Sequence, residues 1–268
     1  MHLSLAIVSC NQELFDCAVD HARRHAAHGV RIYGFGNGVE LRAHKPEEEI
    51  IVRSVPENIG VPAAMHELWT MACAYAPPSI PPEKQIVGYI HDDVDITEDG
   101  WDERVLRCFY DHPACGLVGF GGATALGDPG IYKKPYEIHQ LGRRNFYSNM
   151  VGAELHGERR TKEMPIVFTD GYSMIVRRSL LDQIQGWSWW PFEHIHHAYD
   201  YGMACQVRRH GYEAWLVPCS VNHKGGMTAT RAVHQDAAKK FGGDNAVHAA
   251  AHKWVYDNFR DIYPMKVP

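Results

Sequence analysis

Apolar positions in this chain come in short runs separated by amphipathic stretches, and their periods predict strands alternating with helices. Leu3 to Ser9 is a mainly apolar run without regular polar alternation, the pattern of a strand covered on both faces, and it ends at Cys10-Asn11. Residues 12 to 28 follow with helical spacing and stop at Gly29. Val30 to Phe35 and Ile50 to Ser54 read as further strands, and residues 61 to 76 as a helix closed by Pro77-Pro78. Gln85 to Ile90 is a fourth buried strand, and residues 100 to 111 are a helix that begins near Asp99-Gly100. Strand alternating with helix implies an α/β fold, with a mostly parallel central sheet flanked by helices.

The regularity lapses after about residue 120. Gly119-Phe-Gly-Gly-Ala123 and residues 127 to 163 are rich in glycine, charge and aromatics and hold no period, which marks a functional or mobile stretch. Order resumes at Ile166 to Arg177, in a helix near 197 to 210 and in a strand from Glu213 to Val217. A final helix over about 244 to 260 carries Val247, Ala250, Ala251, Trp254 and Phe259. No repeat and no Ser/Gly linker divides the chain, so residues 1–268 are parsed as a single domain whose second half is irregular.

Composition narrows the function classes. Of 268 residues, 45% are hydrophobic and 22% charged, values of a globular chain. Twenty-seven basic against 32 acidic residues leave a net charge of −5, which disfavours a nucleic-acid acceptor. Seven cysteines, at 10, 17, 73, 108, 115, 205 and 219, form no CxxC pair and read as reduced thiols in a cytoplasmic setting. The apolar start is too short for a signal peptide, and no run approaches the roughly 20 residues that cross a bilayer. Of the histidines, His21, His25 and His28 share a helix face that also holds Arg23 and Arg24 and reads as solvated.

The strongest chemical signal is Ile86-Val-Gly-Tyr-Ile-His-Asp-Asp-Val-Asp95, a strand that runs straight into Asp92, Asp93 and Asp95. Ligands bind at the carboxyl ends of strands in open parallel sheets. Carboxylates crowded there repel unless a cation sits among them, and Mg²⁺ or Mn²⁺ suits an all-oxygen set that also meets phosphate. A solvated acidic turn capping the next helix is the competing explanation. Gly34-Phe-Gly-Asn-Gly38 follows a strand, yet no helix follows it, so it is not a dinucleotide loop; Asn37 remains as a nucleobase-side residue. Glu193-His-Ile-His-His197 is poorly spaced for one tetrahedral zinc and reads as an acceptor-side loop. Trp187, Trp189 and Trp190 suit either a sugar-stacking surface or the core.

The acidic segment resembles the DxD region of GT-A glycosyltransferases, family 2 in particular, and other segments agree in order. Val8-Ser-Cys-Asn11 resembles the strand end that meets the nucleotide, and Val55-Pro-Glu-Asn-Ile-Gly-Val-Pro-Ala-Ala64 the helix opening beside it. Thr169-Asp-Gly-Tyr172 is similar to the acceptor-side glycine turn, Tyr199-Asp-Tyr-Gly202 to the helix with the catalytic carboxylate, and Val217 to His223 to the late strand ending in histidine. The resemblance implies a metal-dependent, inverting transfer from a nucleotide-sugar, by default a UDP-sugar, with residues up to about 120 as the donor half and 121–268 as the acceptor half. It implies donor contacts at Cys10, Asn11, Asn37, Asn58, Gly60, Asp92 and Asp93. Metal ligands would be Asp93, Asp95 and His223, for Mn²⁺ or Mg²⁺. Asp170, Gly171, Trp187 and Glu193 would face the acceptor, and Asp200 would be the base. The chain departs from the pattern at His91, where the first Asp is usual, at Gly202, where a later acid is usual, and at His66, where many relatives have Asn. With one acid gone, a non-catalytic nucleotide-sugar-binding module is an alternative. A nucleotidyltransferase is another, although Ser9-Cys-Asn-Gln-Glu13 lacks the glycine- and lysine-rich loop of that class.

Overall fold

The computed structural model describes residues 1–43, 49–127, 145–152, 157–192, 194–195, 197–225 and 232–267. The first four strands are β1 (His2–Ser9), β2 (Arg31–Asn37), β3 (Ile50–Val55) and β4 (Gln85–His91). They pair in parallel, in the order β4-β1-β2-β3. Helix α1 (Gln12–Arg24) connects β1 to β2, and α2 (Val61–Tyr75) connects β3 to β4. Asn11 opens α1 as its cap, its Oδ1 accepting the Leu14 N–H at 3.1 Å. The helix buries Phe15, Ala18, Val19 and Ala22 along one stripe.

α1 ends at Arg24 rather than at His28, and the reason lies across the fold. The N–H groups of Ala27 and His28 donate to the Asp102 carboxylate at 2.7 and 2.9 Å, so the chain leaves the helix to reach it. His25 and His28 pair with Asp99 and Glu103, which gives that face partners as well as solvent. Asp102 belongs to α3 (Trp101–Asp111), which follows β5 (Val94–Ile96) and leads into β6 (Cys115–Gly119). Trp101 is fully buried and its Nε1 donates to Ala22 O at 2.9 Å, so α1 and α3 form one layer over the sheet.

The second half is more ordered than its sequence suggests. It holds β7 (Gly121–Ala123), β8 (Ala125–Leu126), β9 (Phe146–Ser148), β10 (Met150–Gly152), β11 (Met164–Ile166), β12 (Phe168–Thr169) and β13 (Ser173–Arg177). Then come α4 (Arg178–Gln183), α5 (Tyr199–Arg209), β14 (Glu213–Leu216), β15 (Val221–His223), α6 (Ala232–Lys240), α7 (Asp244–Asn258) and β16 (Met265–Lys266). Of the stretch expected to be irregular, 128–144 and 153–156 lie outside the described residues. β6, β11, β13 and β14 complete one eight-stranded sheet, β11-β14-β6-β13-β4-β1-β2-β3. Within it β13 runs against both neighbours, and β11 against β14. Helices α2, α4, α5 and α7 cover the face opposite α1 and α3. Small sheets β10-β15-β5 and β12-β7-β9 stand where the main strands end. Among the described residues no helix is long and apolar enough to cross a membrane.

The Asp102 carboxylate is 1% exposed and its two bonds bind the α1 exit to α3. Asp102→Ala removes both bonds, whose donors belong to the exposed residues Ala27 and His28, and should cost about 2 kcal/mol. A urea titration should show a lower midpoint with an unchanged slope; a loss under about 1 kcal/mol would mean that water replaces the carboxylate.

Candidate active site

β4 ends at His91, and the turn Asp92-Asp93 carries the chain into β5. Because β13 is reversed, its beginning reaches the edge where β4 ends, and the His91 N–H donates to Tyr172 O at 3.1 Å. β15 pairs with β5 so that His223 stands opposite Val94, and the Lys224 N–H donates to Asp93 O at 3.0 Å. Three elements thus bring His91, Asp93 and His223 together, with ligand atoms all within 4.8 Å of one another. Asp93 is 4% exposed, and its Oδ1 lies 3.4 Å from His223 Nε2 and 3.9 Å from His91 Nδ1. That oxygen has no well-formed hydrogen bond among the described residues, its contact to His223 being a long one. A buried carboxylate oxygen without a donor is costly, and a divalent cation among these three groups removes the cost. Burial pushes the Asp93 carboxyl up, while His223 and His91 pull it down further, so the net displacement is downward.

His91 reaches the other half of the site. Its Nε2 lies 3.0 Å from the Tyr199 hydroxyl, and that hydroxyl donates to Gly171 O at 3.3 Å. With the hydroxyl proton on the carbonyl, the ring proton of His91 would sit on Nε2 and leave the Nδ1 lone pair toward Asp93, the tautomer that ligation through Nδ1 requires. Burial lowers the His91 pKa, which keeps the ring neutral and able to ligate. Gly171 must be glycine for this contact, since a Cβ there would meet the Tyr199 Oη at 2.6 Å. Next to Tyr199, at the start of α5, Asp200 accepts the Tyr201 N–H at 2.9 Å and also bonds the Gly171 amide. Burial and the charge of Asp170 raise the Asp200 pKa to about 7. Asp170, Gly171 and Asp200 therefore form one group, linked through Tyr199 to the His91–Asp93–His223 cluster.

The expected donor residues gather at the ends of β1 and β2. Asn58 Nδ2 lies 3.5 Å from Cys10 Sγ, and Asn58 Oδ1 accepts the Gly60 N–H at 2.9 Å. Asn37 is 2% exposed; it accepts the Ile59 N–H at 2.7 Å and donates to Gly60 O at 3.3 Å, so it clamps the loop that opens α2. Asn11 is occupied as the cap of α1. Ser9, which the sequence did not single out, has its Oγ 2.6 Å from Asp92 Oδ2 and fixes that carboxylate. Asp95 stands apart from Asp93. It points toward α1, with Lys224 Nζ at 3.2 Å and Cys17 Sγ at 3.3 Å from its Oδ1.

Residues 61–243, more than half of the chain, match the sequence profile of the Glycosyltransferase like family. The chain belongs to that family. Solved glycosyltransferases share its fold. TarS from S. aureus, solved with UDP-GlcNAc, superposes with a TM-score of 0.55 at 10% identity over 97% of this chain and 72% of TarS. GalNAc-T7, solved with UDP, GalNAc and Mn²⁺, gives 0.56 at 8% identity over 84% of this chain and 43% of the other. The mannosyltransferase PcManGT from Pyrobaculum calidifontis, solved with GDP-Man and Mn²⁺, gives 0.51 at 13% identity over 97% and 73%. No curated protein matches the sequence. The sheet order and its reversed strand are thus those of a GT-A glycosyltransferase.

Beside Tyr199 in this glycosyltransferase, Trp187 is 2% exposed and packs edge-on against Tyr89 and Tyr199. With Trp190 and Phe192 it backs a recess of about 340 Å³ whose other wall is Ile59, Pro62 and His66. His66 Nδ1 accepts the Trp187 N–H at 3.3 Å. Glu193 lies outside the described residues. The metal-competent groups among the described residues include neither His194 nor His197.

Asp200 gives the site a stability signature. Its carboxyl titrates at about 7 in the fold, against about 4 when unfolded. Between these values the unfolded chain releases a proton that the folded chain keeps, so stability falls as pH rises through that window. Asp200→Asn escapes the penalty. It should be more stable than the parent at pH 8, by at most about 4 kcal/mol, with the gap closing by about pH 4. Denaturant titrations at the two pH values test this, and a gap independent of pH would contradict it.

Proposed function

We propose that this glycosyltransferase moves a sugar from a nucleoside diphosphate donor, by preference a UDP-sugar, to an acceptor hydroxyl with inversion. The observation that carries it is Asp200, a carboxylate held near neutrality, joined through Tyr199 and His91 to a metal-competent cluster at one sheet edge. In this proposal His91 Nδ1, Asp93 and His223 Nε2 hold the cation, and two imidazoles beside one carboxylate favour Mn²⁺ over Mg²⁺. A cation held there would neutralise the charge that grows on the departing diphosphate. Cys10, Asn11 and Asn58 face the nucleotide, with Asn37 and Gly60 shaping the loop and Ser9 orienting Asp92. Asp95 is assigned to supporting the turn through Lys224 rather than to the cation. Asp170 and Gly171 line the acceptor side, and Asp200 takes the hydroxyl proton as the oxygen attacks the anomeric carbon opposite the leaving group. The aromatic recess by His66 is assigned to the acceptor. Chain-wide parsing as one domain with donor and acceptor halves, and a cytoplasmic setting for its free thiols, belong to the same proposal. Support for the donor comes from TarS and GalNAc-T7, each solved with UDP or a UDP-sugar.

The test is release of nucleoside diphosphate from a panel of nucleotide-sugars with Mn²⁺. Asp93→Ala should abolish metal-stimulated release. Asp200→Asn should lower turnover by about 10² to 10⁴ while leaving donor affinity within a few-fold. Since the base must be ionised, the parent's rate should fall tenfold per pH unit below about 7. Asn-variant turnover within a few-fold of the parent would remove Asp200 from the role, and activity in chelator would remove the cation.

A further inference from the structure

A second group of metal-ligating side chains lies at the opposite edge of the sheet. β6 begins at Cys115 and runs parallel to β4 in the sheet, so its start is separated from the donor edge by about the length of a strand, about 20 Å for the span of β4. The segment Cys108-Phe-Tyr-Asp-His-Pro-Ala-Cys115 places two thiols and an imidazole across the joint between α3 and β6. Cys108 sits in the last turn of α3, and His112, one turn on, lies on the same side of the helix. The ligand atoms of Cys108, His112 and Glu163 all lie within 4.8 Å of one another. The Cys115 thiol is within hydrogen-bonding reach of Cys108, stands outside that group of three, and donates to Leu117 O at 3.6 Å.

The ligands are prepared in the way a closed site requires. Both thiols are fully buried, whereas the His112 and Glu163 side chains are 25% and 36% exposed, which leaves an entry path. His112 Nε2 lies 3.0 Å from Glu163 Oε1, and its ring stacks on Trp215 with centroids 3.5 Å apart, which sets the ring plane. An independent feature of the same corner is Arg177, which is 7% exposed. Its guanidinium donates to the carbonyls of Cys115, Glu83 and Phe109 at 3.0, 2.8 and 3.4 Å. Among the described residues it has no carboxylate partner, and a buried cation without a counter-charge is costly.

We propose that Cys108, His112 and Glu163 bind zinc, and that the Cys115 thiol turns from Leu117 O to complete a tetrahedral site that fastens α3 and β6 to the segment before β11. Thiolate, imidazole and carboxylate are the ligand types zinc takes in four-coordinate sites, and thiolates exclude Mg²⁺ and Ca²⁺. Two thiolates and one carboxylate against a divalent cation leave a single net negative charge, which Arg177 matches. Without a cation, the neighbouring Cys115 thiol and burial push the Cys108 thiol up, so it stays protonated. Zinc displaces the thiol protons to solvent as it binds.

The test uses the full chain purified under reducing conditions and dialysed before metal analysis. One zinc per chain is expected, retained in Asp93→Ala and lost in Cys108→Ser. Cobalt(II) should replace zinc and show thiolate-to-metal absorption in the parent and in Asp93→Ala, but not in Cys108→Ser. Because a buried cysteine variant can misfold, Glu163→Gln serves as the second probe. With an unchanged circular-dichroism spectrum, it should bind zinc at least tenfold more weakly in competition with a chelator. A parent that takes up no zinc overturns the proposal. So does zinc that persists in Cys108→Ser, leaves with Asp93→Ala, or binds Glu163→Gln with parental affinity.

Discussion

β13 meets both of its neighbours head to tail, and the site follows from that reversal. In a purely parallel sheet only strand ends face the ligand edge, and the residues entering the next strand lie a full strand length away. Here Ser173 pairs with Ile90, so the turn before β13 sits beside the turn after β4. Asp170, Gly171 and Tyr172 thereby reach the same edge as His91, Asp92 and Asp93. The Tyr172 carbonyl holds the His91 amide, and the Tyr172 ring stacks on His223 with centroids 5.3 Å apart. One strand direction thus sets the Asp170–Tyr172 turn against the acids after β4.

Bringing so many acids to one edge creates an electrostatic conflict, and the site resolves it differently at each carboxylate. Asp92 is bonded by a hydroxyl and Asp95 is paired with Lys224. Asp93 is left with an open oxygen between two imidazoles, which a cation would satisfy. Asp200, with Asp170 as its charged neighbour, responds by holding its proton more tightly. The raised proton affinity and the metal-competent oxygen therefore fall on two different acids, joined by Tyr199 and His91. A neutral bridge matters, because a charged one would pull both carboxyl groups down together.

Residues that punctuate secondary structure were legible, and those that act across the fold were not. Asp93 stands where an apolar run stops, so pattern marks it, whereas Asp200 and His223 were singled out through the family resemblance. Ser9 meets Asp92 across 83 positions, and no local period announces such a contact. Asp95 looked equivalent to Asp93 because strand alternation after a tight turn depends on how the turn is spent. β9, β10 and β15 have three residues each, too few for a period of two to register. The place of His91 in the cluster was hidden behind its difference from the usual acid, since its Nε2 meets a tyrosine more than a hundred positions away.

The missing acid on α5 has a packing cause. A Cβ at Gly202 would meet the Trp189 ring at 2.6 Å, so no larger residue fits while that indole lies there. Trp189 in turn lies tilted against Trp187 and edge-on to Trp190, and its Nε1 donates to Gly186 O at 2.9 Å, so it is not free to swing away. An aromatic layer therefore occupies the place where the family pattern has a carboxylate. The layer adds apolar contact beneath the acceptor-side recess and removes a negative charge from the neighbourhood of Asp200. With two acids already within range, a third would have raised the Asp200 pKa further and kept it protonated at neutral pH. The absence of that acid is thus compatible with the role proposed for Asp200, because the tryptophans in its place add no charge that would hold the Asp200 proton more tightly.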